Sequence, residues 1–371
     1  MRVTPEGFVT LAGRRPGRRR RRDRVVRGLL GVVYASTLAA GFLAPHDPAT
    51  QNRDLSFAPP TRLHFVDPAG RLHLRPFVYG LARPGGTVEA YAEDRSRIYP
   101  VRFFVRGAPY RIAGLFQGDW HLFGTDSPTR LLLFGSDSYG RDQYSRFLYG
   151  GQVSLFAGVL GAALSLGVGV LLGAGLSLGV GMVLGGLAGF YGAWVDEAIM
   201  RVAEVFLALP WLYLLFAVRM ALPLQLEPAQ AFLLVLAVIG LIGWARPARL
   251  IRGIVLSAKV RDYVAAARGF GASDVYLLRR HVLPQALGIA LTQAALLVPQ
   301  YILAEVTLSF FGLGVGEPVP SWGNMLASLQ RYDVLSSYWW MFVPGVALIP
   351  VFLLYYALAD GLHQRSADYS Q

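Results

Sequence analysis

The chain has 371 residues, of which 54% are hydrophobic, 16% are charged and 42 are glycine. A soluble domain carries about 25% charged residues and about 7% glycine, so both departures point to a polytopic membrane protein and exclude disorder and coiled coil. The formal charge of +12 is mostly an N-terminal property, because residues 1–27 hold ten Arg against Glu6 and Asp23.

Missing residue types narrow the chemistry. There is no Cys, which removes disulfides, thiolate nucleophiles and Cys-based metal sites and leaves the redox compartment open. The six His (His46, His64, His73, His121, His281 and His363) include no pair three or four apart, so no metal site is expected. The sole Lys, Lys259, is followed by Val260. A Walker A loop needs Lys followed by Ser or Thr to hold phosphates and magnesium. No cofactor is therefore expected on this chain, and any ATP chemistry must come from another.

In chain order, the basic tail 1–27 runs into Gly28–His46, nineteen residues without a formal charge. A polybasic flank before an apolar span is the positive-inside arrangement and predicts a cytoplasmic N-terminus. Ala44-Pro45-His46 is a poor cleavage site, so the first span reads as uncleaved rather than as a signal peptide. The polar stretch 47–146 then faces outside, and it is long enough to fold. Arg97-Ile-Tyr-Pro-Val-Arg-Phe-Phe-Val-Arg106, after a Pro84-Gly85-Gly86 turn, predicts short strands. Arg95, Arg97, Arg102, Arg106 and Arg111 read either as a docking surface for an acidic partner or as a solvated face.

A bilayer core needs about 20 apolar residues per helix. The uncharged runs after Arg146 are Phe147–Val195, Val205–Val218, Pro228–Ala245, Val282–Ala304 and Val334–Ala359, which with Gly28–His46 makes six spans. The third extends to Ala198–Leu222 if Arg219 snorkels. Phe147–Val195 could hold two helices, but parity argues for one. Arg246–His281, with eight basic residues against Asp262 and Asp274, is then cytoplasmic, as short-loop charge demands. Within that run, Leu164–Gly175 and Leu176–Leu187 are identical at eight of twelve positions. The repeat reads as a tandem duplication that overhangs, tilts or breaks at its glycines; its glycine spacing suits either close helix packing or plain apolar filler.

The most informative segment is Asp262-Tyr-Val-Ala-Ala-Ala-Arg-Gly-Phe-Gly-Ala-Ser-Asp-Val-Tyr-Leu-Leu-Arg-Arg-His-Val-Leu-Pro284. Ala265, Ala266, Ala267 and Arg268 form helix well, Gly269 and Gly271 break it, and Ser273 caps a second helix that Pro284 limits. Small side chains on a short, stiff helix suit insertion into a groove of a neighbouring subunit; a solvated connector is the plainer reading.

At these residues the chain resembles the permease subunits of bacterial ABC importers, whose EAA loop runs Glu-Ala-Ala, three residues, Gly, nine residues, then Ile-x-Leu-Pro. Ala266, Ala267, Gly271, Leu283 and Pro284 fall at matching positions, with Ala265 in place of the Glu and His281 in place of the Ile. Gly135-Ser-Asp-Ser-Tyr-Gly-Arg-Asp-Gln-Tyr-Ser-Arg-Phe-Leu-Tyr-Gly150, Ala304-Glu-Val-Thr-Leu-Ser-Phe-Phe-Gly-Leu-Gly314 and Pro320-Ser-Trp-Gly-Asn-Met325 are similar to motifs of the dipeptide, oligopeptide and nickel group, its C-type subunit in particular. The resemblance covers roughly residues 134–362 and the first span. It implies that Ala265, Ala266, Ala267, Arg268, Gly271, Ser273, Asp274, Leu283 and Pro284 couple to an ATPase. It further implies a second permease chain, two ATP-binding cassette ATPases carrying ATP and Mg, and an external substrate-binding protein.

Other residues carry local expectations. Asp142 and Arg146, four apart with the acid first, read as an exposed helix ion pair. Glu305, the acidic residue within a long apolar run, must face the bundle interior or an aqueous path, so it reads as either a packed structural group or a pathway residue. Pro210 should begin or kink a helix. Trp322, Trp339 and Trp340 fit interfacial anchoring. The expected fold is all-α and polytopic, with six transmembrane helices in the type I ABC importer permease arrangement and an extracytoplasmic insert of mixed or short β structure. Its parts are a basic cytoplasmic tail (1–27), a first span (28–46), an extracytoplasmic domain (47–146), a five-helix core (147–362) with a coupling loop (246–284), and a cytoplasmic tail (363–371). The expected location is the bacterial inner membrane, and the expected role is non-catalytic. An ATP-independent channel or secondary transporter would need repeated halves or several intramembrane ionisable groups; a membrane enzyme would need clustered acid, base or metal ligands.

Overall fold

The computed structural model describes residues 16–83, 91–112, 116–171, 178–208, 210–221, 244–277, 280–281 and 283–368, with residues 2–3, 9–10 and 230 besides. The expected Pro84-Gly85-Gly86 turn, residues 172–177 of the near-repeat and most of the expected span Pro228–Ala245 lie outside these residues. The chain is mostly helical. Near its start Arg2–Val3 (β1) pairs antiparallel with Val9–Thr10 (β2).

Helix α1 (Pro16–Leu38) starts within the basic tail, twelve residues before the expected first span. Pro16 suits a first helical position, where no N–H partner is needed, and the Arg run that follows has good helix propensity. After Ala39 a single turn, α2 (Ala40–Leu43), follows, and Ala44 is extended ahead of Pro45.

Strands fill much of the next polar stretch. β3 (His64–Val66), β4 (Leu72–Ala82) and β5 (Ala92–Pro100) make an antiparallel sheet in that order, and β6 (Arg102–Ile112) pairs with β7 (Phe116–Gly124) as a separate hairpin. The segment Arg97–Arg106 crosses from β5 into β6. Buried Val101 at the junction packs with Val78 and Leu131.

Helix α3 (Gln143–Leu171) follows. Its cap is Asp142, whose carboxylate accepts hydrogen bonds from the backbone N–H of Tyr144 (3.2 Å) and Ser145 (3.1 Å) and from Ser145 Oγ. The exposed Asp142–Arg146 helix pair therefore does not form. Both residues are buried, because the orphan amides of the first turn claim the carboxylate.

Further α-helices among the described residues are α4 (Leu178–Tyr191), α5 (Ala193–Ala208), α6 (Trp211–Met220), α7 (Ala245–Ala258), α8 (Asp262–Gly269), α9 (Asp274–Leu277), α10 (Leu283–Phe310), α11 (Trp322–Ala327), α12 (Tyr332–Ser337) and α13 (Val343–Asp368). Pro210 immediately precedes α6, and its carbonyl accepts from the N–H of Tyr213 and Leu214.

The main core joins α1, α3, α10, α11 and α13 through Val26, Leu30, Leu155, Ile302, Leu308, Trp322 and Tyr355. Gly158 lets α3 and α10 touch, since a Cβ there would lie 2.2 Å from Ile302. Among the described residues, Trp339–Leu362 is long and apolar enough to cross a membrane, and Ala295–Phe310 is a shorter apolar helix. Only 28% of the Trp339–Leu362 window is buried within the chain, so most of its apolar surface faces outward.

Two of the three tryptophans expected as interfacial anchors belong instead to the core. Trp322 stacks on Phe147 at 5.3 Å and donates Nε1–H to the Phe147 carbonyl, and Trp340 donates to the Ser136 carbonyl. In each case the indole N–H finds a buried backbone acceptor. Trp339 is exposed.

Candidate functional site

The segment 246–284 folds as a helix, a short helix, a turn and a further helical turn, mounted on α4. The mount is a small apolar cluster of Phe190, Ile251, Val255, Ala258, Val264 and Leu277, with Ala267 and Ala272 packed at its edge. Val264 and Leu277 are fully buried here, and full burial of an aliphatic side chain of this size stabilises by about 1.5–3 kcal/mol. The β-branched residue that weakens α8 as an isolated helix is thus what fastens it down.

Glycines set the mounting distance. A Cβ on Gly185 would lie 2.3 Å from the Ala248 carbonyl oxygen, and one on Gly189 2.8 Å from that of Arg252. The two residues, four apart on α4, let the backbone of α7 lie directly against it. Gly185 belongs to the second copy of the near-repeat and Gly189 lies two residues beyond it, so one glycine of the repeat takes part in this close packing. Lys259 then donates from Nζ to the Gly189 carbonyl (2.8 Å) and the Phe190 carbonyl (3.4 Å), satisfying the open end of α4. Arg252 makes a two-pronged ion pair with Asp196 of α5. That hydrogen-bonded carboxylate holds the guanidinium pKa above its ordinary value.

On this base α8 presents its outer surface. Ala265 and Ala266 are exposed, Ala267 is half-buried, and Arg268 is exposed with its guanidinium 5.5 Å from the Phe190 ring centre and 3.0 Å from Asp274. Asp262 in the first turn and Arg268 in the last both complement the helix dipole. The helix closes with Gly271 at φ +83°, and the Ala272 N–H reaches back to the Ala267 carbonyl. This αL closure is one that glycine adopts without strain. Ser273 Oγ accepts from the Tyr276 N–H and caps α9. Phe270, which the sequence reading does not single out, stands 92% exposed at the turn.

α9 covers Asp274–Leu277 among the described residues, and Leu283 and Pro284 open α10. Pro284 thus starts the next helix, as a proline in the first turn can. The structure brings Ala265–Asp274 into one projection and sets Leu283 and Pro284 at its return.

Glu305 lies elsewhere, buried on α10 at 1% exposure. Ser309 Oγ donates to its Oε1 at 2.7 Å, and Ser154 and Ser321 adjoin the carboxyl. The same serines hold the loop after α10, since Val315 N–H donates to Ser309 Oγ and Trp322 N–H to Ser154 Oγ. This carboxyl is packed among hydroxyls that fasten a loop.

A second polar cluster lies before α3. Arg141 bonds Asp137 (2.6 Å) and grips both oxygens of Glu317 (2.6 and 3.1 Å), while the buried Arg146 reaches Glu317 at 2.9 Å. Two buried guanidiniums thereby share two carboxylates, and the loop 312–321 is tied to the start of α3.

Residues 181–368 match the family model described as binding-protein-dependent transport system inner membrane component. The dipeptide transport system permease protein DppC of Bacillus subtilis is 35% identical over 62% of this chain and 66% of its own length. The oligopeptide transport system permease protein OppC of the same organism is 34% identical over 63% of this chain and 71% of its own. This chain thus spans about two thirds of the length of such relatives. The crystal structure of an amino acid ABC transporter aligns with a TM-score of 0.41 and 15% identity, covering 59% of this chain and 94% of that one, a likeness too small to bear on the fold.

Proposed function

We propose, from the premise that this chain belongs to the family of binding-protein-dependent transport system inner membrane components, that it is the permease subunit of an ATP-driven ABC importer for peptides or a related small solute such as a nickel chelate. In this reading six helices cross the bacterial inner membrane in the type I arrangement, with both termini cytoplasmic. The chain pairs with a second permease, two ATPases that hold ATP and Mg, and a binding protein that docks on the outer side, where residues 47–146 lie. The chain itself is non-catalytic.

The observation that carries the proposal is the projection Ala265–Asp274. It exposes two alanines on a short helix and Phe270 at its end; Val264 and Leu277 fasten the inner side to the cluster with Phe190 of α4, and Gly185 and Gly189 hold α4 against α7. A flexible connector would transmit no motion. A helix end tied by a buried cluster, a capped turn and the Lys259 bonds moves as one piece with α4 and α7. When ATP draws the ATPases together, the groove that receives this projection carries it along, and α7 and α10 tilt with it to open or close the pathway. Glu305 and its serines hold the opposite loop while that happens.

The deciding experiment is purification of the chain from membranes. Recovery with two ATP-hydrolysing subunits supports the proposal, whereas recovery as a homo-oligomer without them favours an ATP-independent channel.

A further inference from the structure

The β6–β7 hairpin takes no part in coupling, yet it is joined to the outer end of the first apolar segment. Buried His121 on β7 sets Nδ1 2.6 Å from the Ala44 carbonyl, just beyond α2. Gly41 of α2 leaves the space that Tyr110 of β6 fills, since a Cβ there would lie 2.2 Å from the ring. The rings of Phe42 and Phe104 approach to 6.2 Å between centres. A hairpin residue therefore stands beside a residue of the apolar run 28–46, a few residues short of where that run ends. If 28–46 crosses the bilayer, Phe104 lies at the depth of Phe42, at the boundary between acyl chains and headgroups.

What the hairpin exposes there fits that boundary. Phe103 is 59% and Phe104 61% exposed, although neighbours in a strand ordinarily face opposite sides. Phe104 has φ +54°, and that local distortion accompanies two adjacent rings that both face outward. Trp120 is 46% exposed with the Arg106 guanidinium 5.4 Å from its ring centre. Arg102, Arg106 and Arg111 are exposed along one strand, Arg102 also reaching Asp126 at 2.8 Å and Arg106 Asp119 at 3.9 Å, while Arg111 is the cation with the clearest path to a headgroup. Two apolar phenyl rings and an indole with one polar N–H, interleaved with guanidiniums, match the chemistry of the interface, where apolar rings meet the acyl chains, the indole N–H meets the glycerol groups and the cations meet phosphate.

We propose that this hairpin lies on the outer leaflet as an interfacial anchor, with Phe103 and Phe104 set into the acyl boundary and Arg102, Arg106 and Arg111 among anionic headgroups. The proposal rests on the reading that 28–46 crosses the membrane. The natural absence of Cys makes the test direct. The whole transporter complex is reconstituted in nanodiscs of phosphatidylethanolamine and phosphatidylglycerol with one spin label, at Phe104→Cys or at Ala69→Cys in the exposed turn between β3 and β4. The label at 104 should be relaxed several-fold more by oxygen than by an aqueous nickel chelate, and the label at 69 should show the reverse. A label at 104 that behaves like that at 69 overturns the proposal, as does one shielded from both reagents, which would place a protein partner there. Replacing Arg102, Arg106 and Arg111 together by Gln should reduce the oxygen preference at 104 in discs containing phosphatidylglycerol, with retained ATPase association as the check on folding. An unchanged preference overturns the headgroup role of the arginines. In intact cells a membrane-impermeant maleimide should label Ala69→Cys; labelling only after the membrane is opened overturns the outer-face assignment and the topology together, whatever the label at 104 reads.

Discussion

Replacing Gly271 separates the shape of the coupling turn from everything else around it. Gly271 holds φ +83°, and an added Cβ would meet nothing within 4 Å, so the cost of Gly271→Ala lies in the backbone alone. A left-handed L-residue costs about 1–2 kcal/mol, roughly a 5- to 30-fold shift toward other turn shapes. Gly271→Pro adds three penalties. Proline fixes φ near −65°, it lacks the N–H that Gly271 donates to the Arg268 carbonyl at 3.0 Å, and it disfavours the near-helical backbone of Phe270. Together these exceed about 3 kcal/mol, and the turn cannot keep its form. In proteoliposomes holding the whole transporter, the Ala variant should retain uptake at a reduced rate, and the Pro variant should hydrolyse ATP without uptake while still inserting and copurifying with its ATPases. Wild-type uptake by Gly271→Pro would refute the idea that a rigid turn transmits the motion.

Other perturbations test the supports. Gly185→Leu should force α4 and α7 apart and lower the unfolding temperature of the complex, at about 1–3 kcal/mol for overpacking, whereas Gly253→Ala, whose Cβ meets nothing within 4 Å, should be neutral or slightly stabilising; equal effects from both would contradict the close contact. Arg146→Met removes one of two guanidiniums from Asp137 and Glu317, and because Arg141 still holds both carboxylates and Glu317 is partly exposed the loss should be that of a charged hydrogen bond, about 1.5–3 kcal/mol, which differential scanning fluorimetry should register as a drop that an added Glu317→Met relieves in part. Glu305→Ala should slow uptake while sparing assembly, because Ser309 loses its acceptor and the loop it steadies; an unchanged uptake rate would leave Glu305 with packing alone.

Local signals carried the coupling segment. The alanine run, the glycine at a left-handed position and the capping serine each act within a few residues, so α8, its turn and the start of α9 could be read directly from residues 262–273. What could not be read depends on distant partners. Val264 looks like a weak spot in a helix until Phe190 and Ile251 arrive beside it. Arg146 looks like a partner for Asp142 until Glu317, 171 positions away, takes it. Asp142 carries a readable capping signal, an acidic residue just ahead of an apolar helix with Ser145 three places on, which competes with its four-residue spacing to Arg146. Residue type alone points Trp322 and Trp340 to an interface, whereas their N–H groups have buried carbonyls to meet. The early start of α1 reflects arginine's good helix propensity, which counting uncharged residues ignores.

The lysine that closes α4 gives the coupling region a built-in reporter. Because the chain has a single ε-amine and two carbonyls hold it, acylating reagents have one side chain to find, and its reactivity measures how often the α4–α7 corner springs open. Following that modification by mass spectrometry through the nucleotide cycle would time the movement of this corner with no mutation at all.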